Sequence, residues 1–179
     1  MVRVLNKPIG ILGGSFDPAH KGHLIISKLA IKKLKLNKVL WLVTKQNPFK
    51  DRTFYSLPQR IVKAKKISKN IKKIQVIHLE KTIHSSRSIN AINYLITKKK
   101  LKNIYFIIGS DNLIKFHKWK SWKKIVKLTK LIVFSRRGYD NKSKKSIVAK
   151  YLKNKITFVN NKPIKISSTN LRRQMLKNY

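Results

Sequence analysis

Short apolar runs rich in β-branched residues recur along the chain, and between them apolar positions return every three or four residues. Residues 9–12, 39–43, 74–77, 104–108 and 131–134 read as strands buried within a sheet. Amphipathic spacing predicts helices at about 21–35, 57–69, 88–101 and 121–129. A helix at about 143–152 and a strand at about 156–160 continue the alternation, and a short helical pattern (Leu171, Met175, Leu176) ends the chain. Strand and helix in turn predict an α/β fold: one Rossmann-like, doubly wound parallel sheet with helices on both faces and right-handed crossovers. No repeat, linker or low-complexity tract interrupts the pattern, so residues 1–179 are expected to form a single domain.

Where the first strand meets the first helix, residues 13–24 read Gly-Gly-Ser-Phe-Asp-Pro-Ala-His-Lys-Gly-His-Leu. Strand, tight glycine-containing loop and helix N-terminus in that order make a phosphate site: glycine lets the backbone approach an anion, and the first helical turn offers unpaired N–H groups. His20 and His23, three apart, project from one side of that turn. A surface loop or a two-histidine metal site is the plainer alternative, but zinc needs more ligands and the chain has no cysteine. Near the other end, residues 166–172 read Ile-Ser-Ser-Thr-Asn-Leu-Arg. Ser167, Ser168 and Thr169 suit a helix N-cap and can also bind phosphate oxygens, with Arg172 one turn on. Taken alone, this reads more readily as a plain cap with a solvent-facing arginine.

The two segments together resemble the signatures of the nucleotidyltransferase superfamily, HxGH (here His20-Lys21-Gly22-His23) and ISSTxxR (here ISSTNLR). Within it, residues 108–119 (Ile-Gly-Ser-Asp-Asn-Leu-Ile-Lys-Phe-His-Lys-Trp) are similar to a segment of bacterial nicotinate-nucleotide adenylyltransferases. Gln46-Asn47-Pro48-Phe49-Lys50 and Arg136-Arg137-Gly138-Tyr139 extend the likeness. There are departures: Lys45 and Arg137 stand where the family has proline, and residues 86–92 (Ser-Arg-Ser-Ile-Asn-Ala-Ile) lack its tyrosine, aspartate and a threonine. The resemblance implies a nucleotidyltransferase-type sheet and transfer of adenylyl from ATP to nicotinate mononucleotide, giving nicotinate adenine dinucleotide and pyrophosphate. A phosphopantetheine adenylyltransferase or a glycerol-phosphate-type cytidylyltransferase is the alternative with the same boxes.

The resemblance also implies roles. His20, His23 and Arg172 would be catalytic. Gly13, Gly14, Ser15, Phe16, Gly22, Ser167, Ser168 and Thr169 would bind the phosphates of ATP. Lys50, Ser88, Asp111 and Trp119 would bind the mononucleotide, Trp119 by stacking on the pyridine ring. Asp111 could instead be an N-cap, and Trp119 and Trp122 could be core residues of one helix. Mg²⁺ is expected to arrive with ATP, because so few carboxylates are present to build a metal site.

Charge changes the picture less than its size suggests. Lysine and arginine number 44 against 5 acidic residues, a formal net charge of +39. Such excess ordinarily points to a polyanion partner. Here only eight of the cations are arginine, and they are spread along the whole chain, which argues against sequence-specific nucleic-acid recognition. Loose, salt-sensitive adhesion and steering of anionic substrates are the expected consequences. No apolar stretch reaches membrane-spanning length and the N-terminus turns polar too soon for a secretory signal, so a cytoplasmic location is expected.

Overall fold

The computed structural model describes residues 7–46, 53–162, 164 and 166–177. Six apolar runs form strands β1 (Ile9–Gly14), β2 (Lys38–Val43), β3 (Ile74–Ile77), β4 (Ile104–Gly109), β5 (Lys130–Phe134) and β6 (Ile156–Val159). All pair in parallel, in the order β3-β2-β1-β4-β5-β6. The strand order reverses between β1 and β4, so the crevice at their carboxyl ends is where such a sheet binds ligands.

Period-two alternation sorts the strand side chains onto two cores. Ile9, Ile11, Leu40, Leu42, Phe106, Ile108, Leu131 and Val133 face one way, against α4 (Ser88–Thr97) and α6 (Trp122–Leu128). Leu12, Val39, Trp41, Val43, Ile107, Ile132 and Phe134 face the other, against α1 (Lys21–Lys33) and α2 (Leu57–Ser68). Both faces being covered explains why these strands read as continuous apolar runs.

Helix ends follow their caps. Ser56 accepts from the amide of Gln59 (3.4 Å) while Gln59 Oε1 accepts from the amide of Ser56 (3.0 Å), a reciprocal box that starts α2. The helix expected at 143–152 is instead two, α7 (Asp140–Lys144) and α8 (Ile147–Leu152). Ser146 divides them, its hydroxyl accepting from the amide of Ala149 and opening α8 in extended backbone. Helix α4 stops at Thr97, short of the expected 101. Two short helices, α3 (Glu80–Ile83) and α5 (Ser110–Lys115), lie outside the predicted helices. The last, α9 (Ser168–Lys177), carries the carboxyl-end motif. Among the described residues no helix is long and apolar enough to cross a membrane.

Trp41 lies fully inside the α1 side of the sheet, and its indole N–H donates to the buried Ser27 hydroxyl at 2.8 Å. Ser27→Ala strands that donor without opening a large cavity. Urea unfolding is expected to report a loss of about 1–3 kcal/mol. A loss near zero would mean that the indole had found another acceptor.

Candidate active site

At the carboxyl ends of β1 and β4 lies a cleft of about 790 Å³. Gly13, Gly14, Ser15, Phe16, His20, Gly22 and His23 line it from the first turn, and Ser168 and Thr169 from the last. Ser88, Asp111 and Trp119 line it as well. A Cβ built on Gly13 would meet nothing within 4 Å, so the β1 end presents bare backbone to open space. Phe16 borders the cleft, but the residue is only 2% exposed, its ring stacked on Trp41 (5.1 Å between centroids) and tilted against His23 (4.7 Å).

The two imidazoles are fixed by the helix start. His20 is the N-cap of α1, its Nδ1 accepting from the amide of Gly22 at 3.0 Å, and His23 Nδ1 accepts from the amide of His20 at 3.2 Å. A ring nitrogen that accepts carries no proton, so each neutral imidazole bears its proton on Nε2. Both rings are thereby set as hydrogen-bond donors, with centroids 4.0 Å apart. Gly22 is required for this: a Cβ there would lie 2.8 Å from the His20 ring and 3.1 Å from Ile164.

The carboxyl-end turn packs directly on the amino-end turn. Ser168 Oγ donates to the carbonyl of Pro18 (3.0 Å), and Ser167 caps α9 by accepting from the amide of Asn170 (3.2 Å). Arg172 reaches this wall through Nη2, which lies 3.4 Å from the Thr169 hydroxyl. Its Nη1 donates to the carbonyl of Asp17 (2.7 Å) and lies 3.6 Å from the Asp17 carboxylate, so the guanidinium expected to reach phosphate is engaged in joining the two turns.

On the far side, Asp111 sits inside the first turn of α5 and makes no capping bond, which sets aside the N-cap alternative. Its Oδ2 pairs with Arg136 Nη1 at 2.6 Å, while Oδ1 is buried without a partner. The carboxyl folds back over Gly109, where a Cβ would lie 2.5 Å from Oδ1. Trp119 walls the cleft and packs on Phe116 (5.0 Å) and edge-on to Phe106 (6.1 Å), but its extended backbone lies before α6, so it and Trp122 are not core residues of one helix. Trp122 packs on the core and edge-on to Tyr151, away from the cleft. Ser88 opens α4 at the cleft, with Ser86 and Arg87 beside it, so the first three residues of the segment that departs from the family pattern form a cleft wall, while Ile89, Ala91 and Ile92 join the core. Lys50 lies outside the described residues.

Two residues escaped the sequence reading. Asp17 is buried and accepts from the amides of Phe54 (2.8 Å) and Tyr55 (2.9 Å) in addition to holding Arg172. Arg60, on α2, is 1% exposed and donates to the carbonyls of Ser15, Thr44, Lys45 and Tyr55 at 2.6–3.0 Å. Burial pushes its pKa down, opposed by the charges of Asp17 and Glu80. The signal was there to find: Arg60 falls on the same helical stripe as Ala64 and Ser68, the buried face of α2. Nearby, burial pushes the Asp140 carboxyl up. Hydrogen bonds from Ser135, Ser110 and the amide of Arg136, with the charge of Lys144, outweigh it and hold the pKa below the ordinary value.

Residues 11–174 match the family model described as cytidylyltransferase-like. A protein of Pelagibacter ubique (strain HTCC1062), described as "Probable nicotinate-nucleotide adenylyltransferase", is 51% identical over 166 residues, 92% of this chain and 92% of its own length. One of the same description from Rhizobium meliloti (strain 1021) is 34% identical, covering 73% of this chain and 69% of its own. Among solved structures, Plasmodium falciparum nicotinic acid mononucleotide adenylyltransferase complexed with NaAD shares the fold at a TM-score of 0.71 and 22% identity, over 94% of this chain and 83% of that one. The same enzyme complexed with APC gives a TM-score of 0.73 at 19% identity, with the same coverage. The chain belongs to the cytidylyltransferase-like family and, within it, to the nicotinate-nucleotide adenylyltransferases.

Proposed function

We propose that the chain transfers the adenylyl group of MgATP to nicotinate mononucleotide, releasing nicotinate adenine dinucleotide and pyrophosphate, in the cytoplasm where ATP is supplied. One observation carries the site assignment: the imidazole-bearing turn and the hydroxyl-bearing turn touch, through Ser168 and Pro18, at the switch point of the sheet. A triphosphate there would be held from both sides. No specific nucleic-acid or membrane partner enters the scheme.

The nucleophile is an oxygen of the mononucleotide phosphate, already anionic near neutral pH, so no protein base is needed. It attacks the α-phosphorus of ATP in line. The new O–P bond forms as the bond from the α-phosphorus to the bridging oxygen breaks, and pyrophosphate leaves with that electron pair. Catalysis then reduces to positioning and to neutralising charge that builds on the phosphates. The Nε2–H groups of His20 and His23 are donors for the α- and β-phosphates. Ser15, the glycine backbone, Ser168 and Thr169 supply further donors, and Lys50 a cation. Mg²⁺ enters as part of the substrate. Each described carboxylate already has a protein partner, Asp17 in Arg172, Glu80 in the amide of Lys45, Asp111 in Arg136 through Oδ2 alone and Asp140 in Ser135. Trp119 and Ser88 face the pyridine mononucleotide, with Asp111 toward its ribose.

Pyrophosphate release, measured with ATP and either nicotinate mononucleotide or its amide, tests the assignment directly. Turnover with the acid acceptor is expected, and none with either acceptor would overturn it. His23→Ala removes one donor to the charged transition state and is expected to cost on the order of 3 kcal/mol, about 100-fold in kcat, with the fold intact by circular dichroism. Near-normal kcat would remove His23 from the scheme. Trp119→Ala should raise KM for the mononucleotide about tenfold while moving KM for ATP about twofold at most. Equal losses for both substrates would assign Trp119 to packing.

A further inference from the structure

The guanidinium of Arg60 is the most deeply buried charge described in the chain, and it meets carbonyl oxygens rather than a carboxylate. Four hydrogen bonds bring together the β1 turn (Ser15), the end of β2 (Thr44, Lys45) and the turn that leads into α2 (Tyr55). Neither ion pair among the described residues involves it. Three of the four carbonyls belong to residues that line the cleft. Asp17–Pro18 is the only cis peptide among the described residues, so the peptides after Ser15, Thr44 and Lys45 are trans. A trans peptide directs its N–H opposite to its C=O. Drawing the three oxygens onto Arg60 therefore turns the N–H groups of Phe16, Lys45 and Gln46 the other way. That of Lys45 is taken by Glu80 at 2.8 Å. That of Phe16 belongs to the turn that carries the histidines, in a residue whose φ of 48° holds the backbone in the left-handed region.

We infer that Arg60 is a positioning residue for phosphate recognition: it withdraws carbonyl oxygens from the anion end of the cleft and fixes the backbone donors there. An anion facing this edge meets the Phe16 N–H backed by a buried cation, where without Arg60 it would meet lone pairs. The inference rests on the adenylyl-transfer reading and adds what makes the cleft select for phosphate charge.

Calorimetric titration of the full chain with adenosine, AMP, ATP and inorganic pyrophosphate tests it, on wild type, Arg60→Lys and Arg60→Gln. In Arg60→Gln the dissociation constants for ATP and pyrophosphate are expected to rise about 10- to 100-fold, with adenosine moving less than about threefold and AMP falling between. Arg60→Lys, which keeps the charge and loses the fork, should recover part of the loss. Equal losses for adenosine and pyrophosphate, while wild-type turnover stands, would make Arg60 a purely structural residue and overturn the inference alone. Absence of pyrophosphate release by wild type would overturn the reading beneath it. Should the variants fail to fold, wild type still decides: titrating pyrophosphate into ¹⁵N-labelled protein is expected to move the Phe16 amide resonance. An unmoved resonance under saturating pyrophosphate would overturn the inference.

Discussion

Asp17 ties the two turns of the cleft together through three partners. Its carboxylate accepts two amides from the turn before α2 and faces Arg172, while its own carbonyl accepts from the same arginine. Burying a carboxylate is costly unless it is paired and hydrogen-bonded, and here the partners come from two distant parts of the chain, the turn at Phe54–Tyr55 and Arg172. Arg172 is 155 positions away in sequence, so its hold on Asp17 closes most of the chain into one loop. Closure entropy grows only with the logarithm of loop length, so a contact of that span is affordable once the sheet has brought its ends near. The central place of β1 supplies that nearness. The two turns that would grip a triphosphate are thus parts of one packed object, and their spacing is set by buried groups rather than by flexible side chains.

Much of this could be read from the chain alone. All six strands fall at or next to the predicted runs, because a sheet covered on both faces leaves little room for polar residues. The two motif turns were visible because glycine, histidine and hydroxyl residues stand in an order that backbone geometry explains. What could not be read has physical causes. Helix α3 spans four residues, about one turn, too short for any period to appear. Helix α5 begins on Gly-Ser-Asp, residues that favour turns, and it is held by packing of Leu113 instead. The bonds of Arg172 to Asp17 could not be read because a charged fork one turn past a cap can face either way, and spacing does not say which. Arg60 was passed over because an arginine on a lysine-rich helix reads as solvated, although its place on the inner stripe said otherwise.

The distribution of acidic residues completes the argument. The chain has five, of which Asp51 lies outside the described residues. The other four all follow the carboxyl end of a strand: Asp17 after β1, Glu80 after β3, Asp111 after β4 and Asp140 after β5. Each accepts from a backbone amide or an arginine at that edge, Glu80 from Lys45 and Asp140 from Arg136. Loops leaving parallel strands carry N–H groups that no sheet partner satisfies, and lysine, which has no acceptor, cannot serve them. In a chain this basic, carboxylates are therefore most useful where loops must be held still around a ligand. The same reasoning covers the arginines: Arg60 and Arg172 bind carbonyls, and Arg136 binds Asp111, each through a planar fork that lysine lacks. Lysine covers the surface, and the residues able to form directed, multiple hydrogen bonds are gathered where geometry matters to the phosphates.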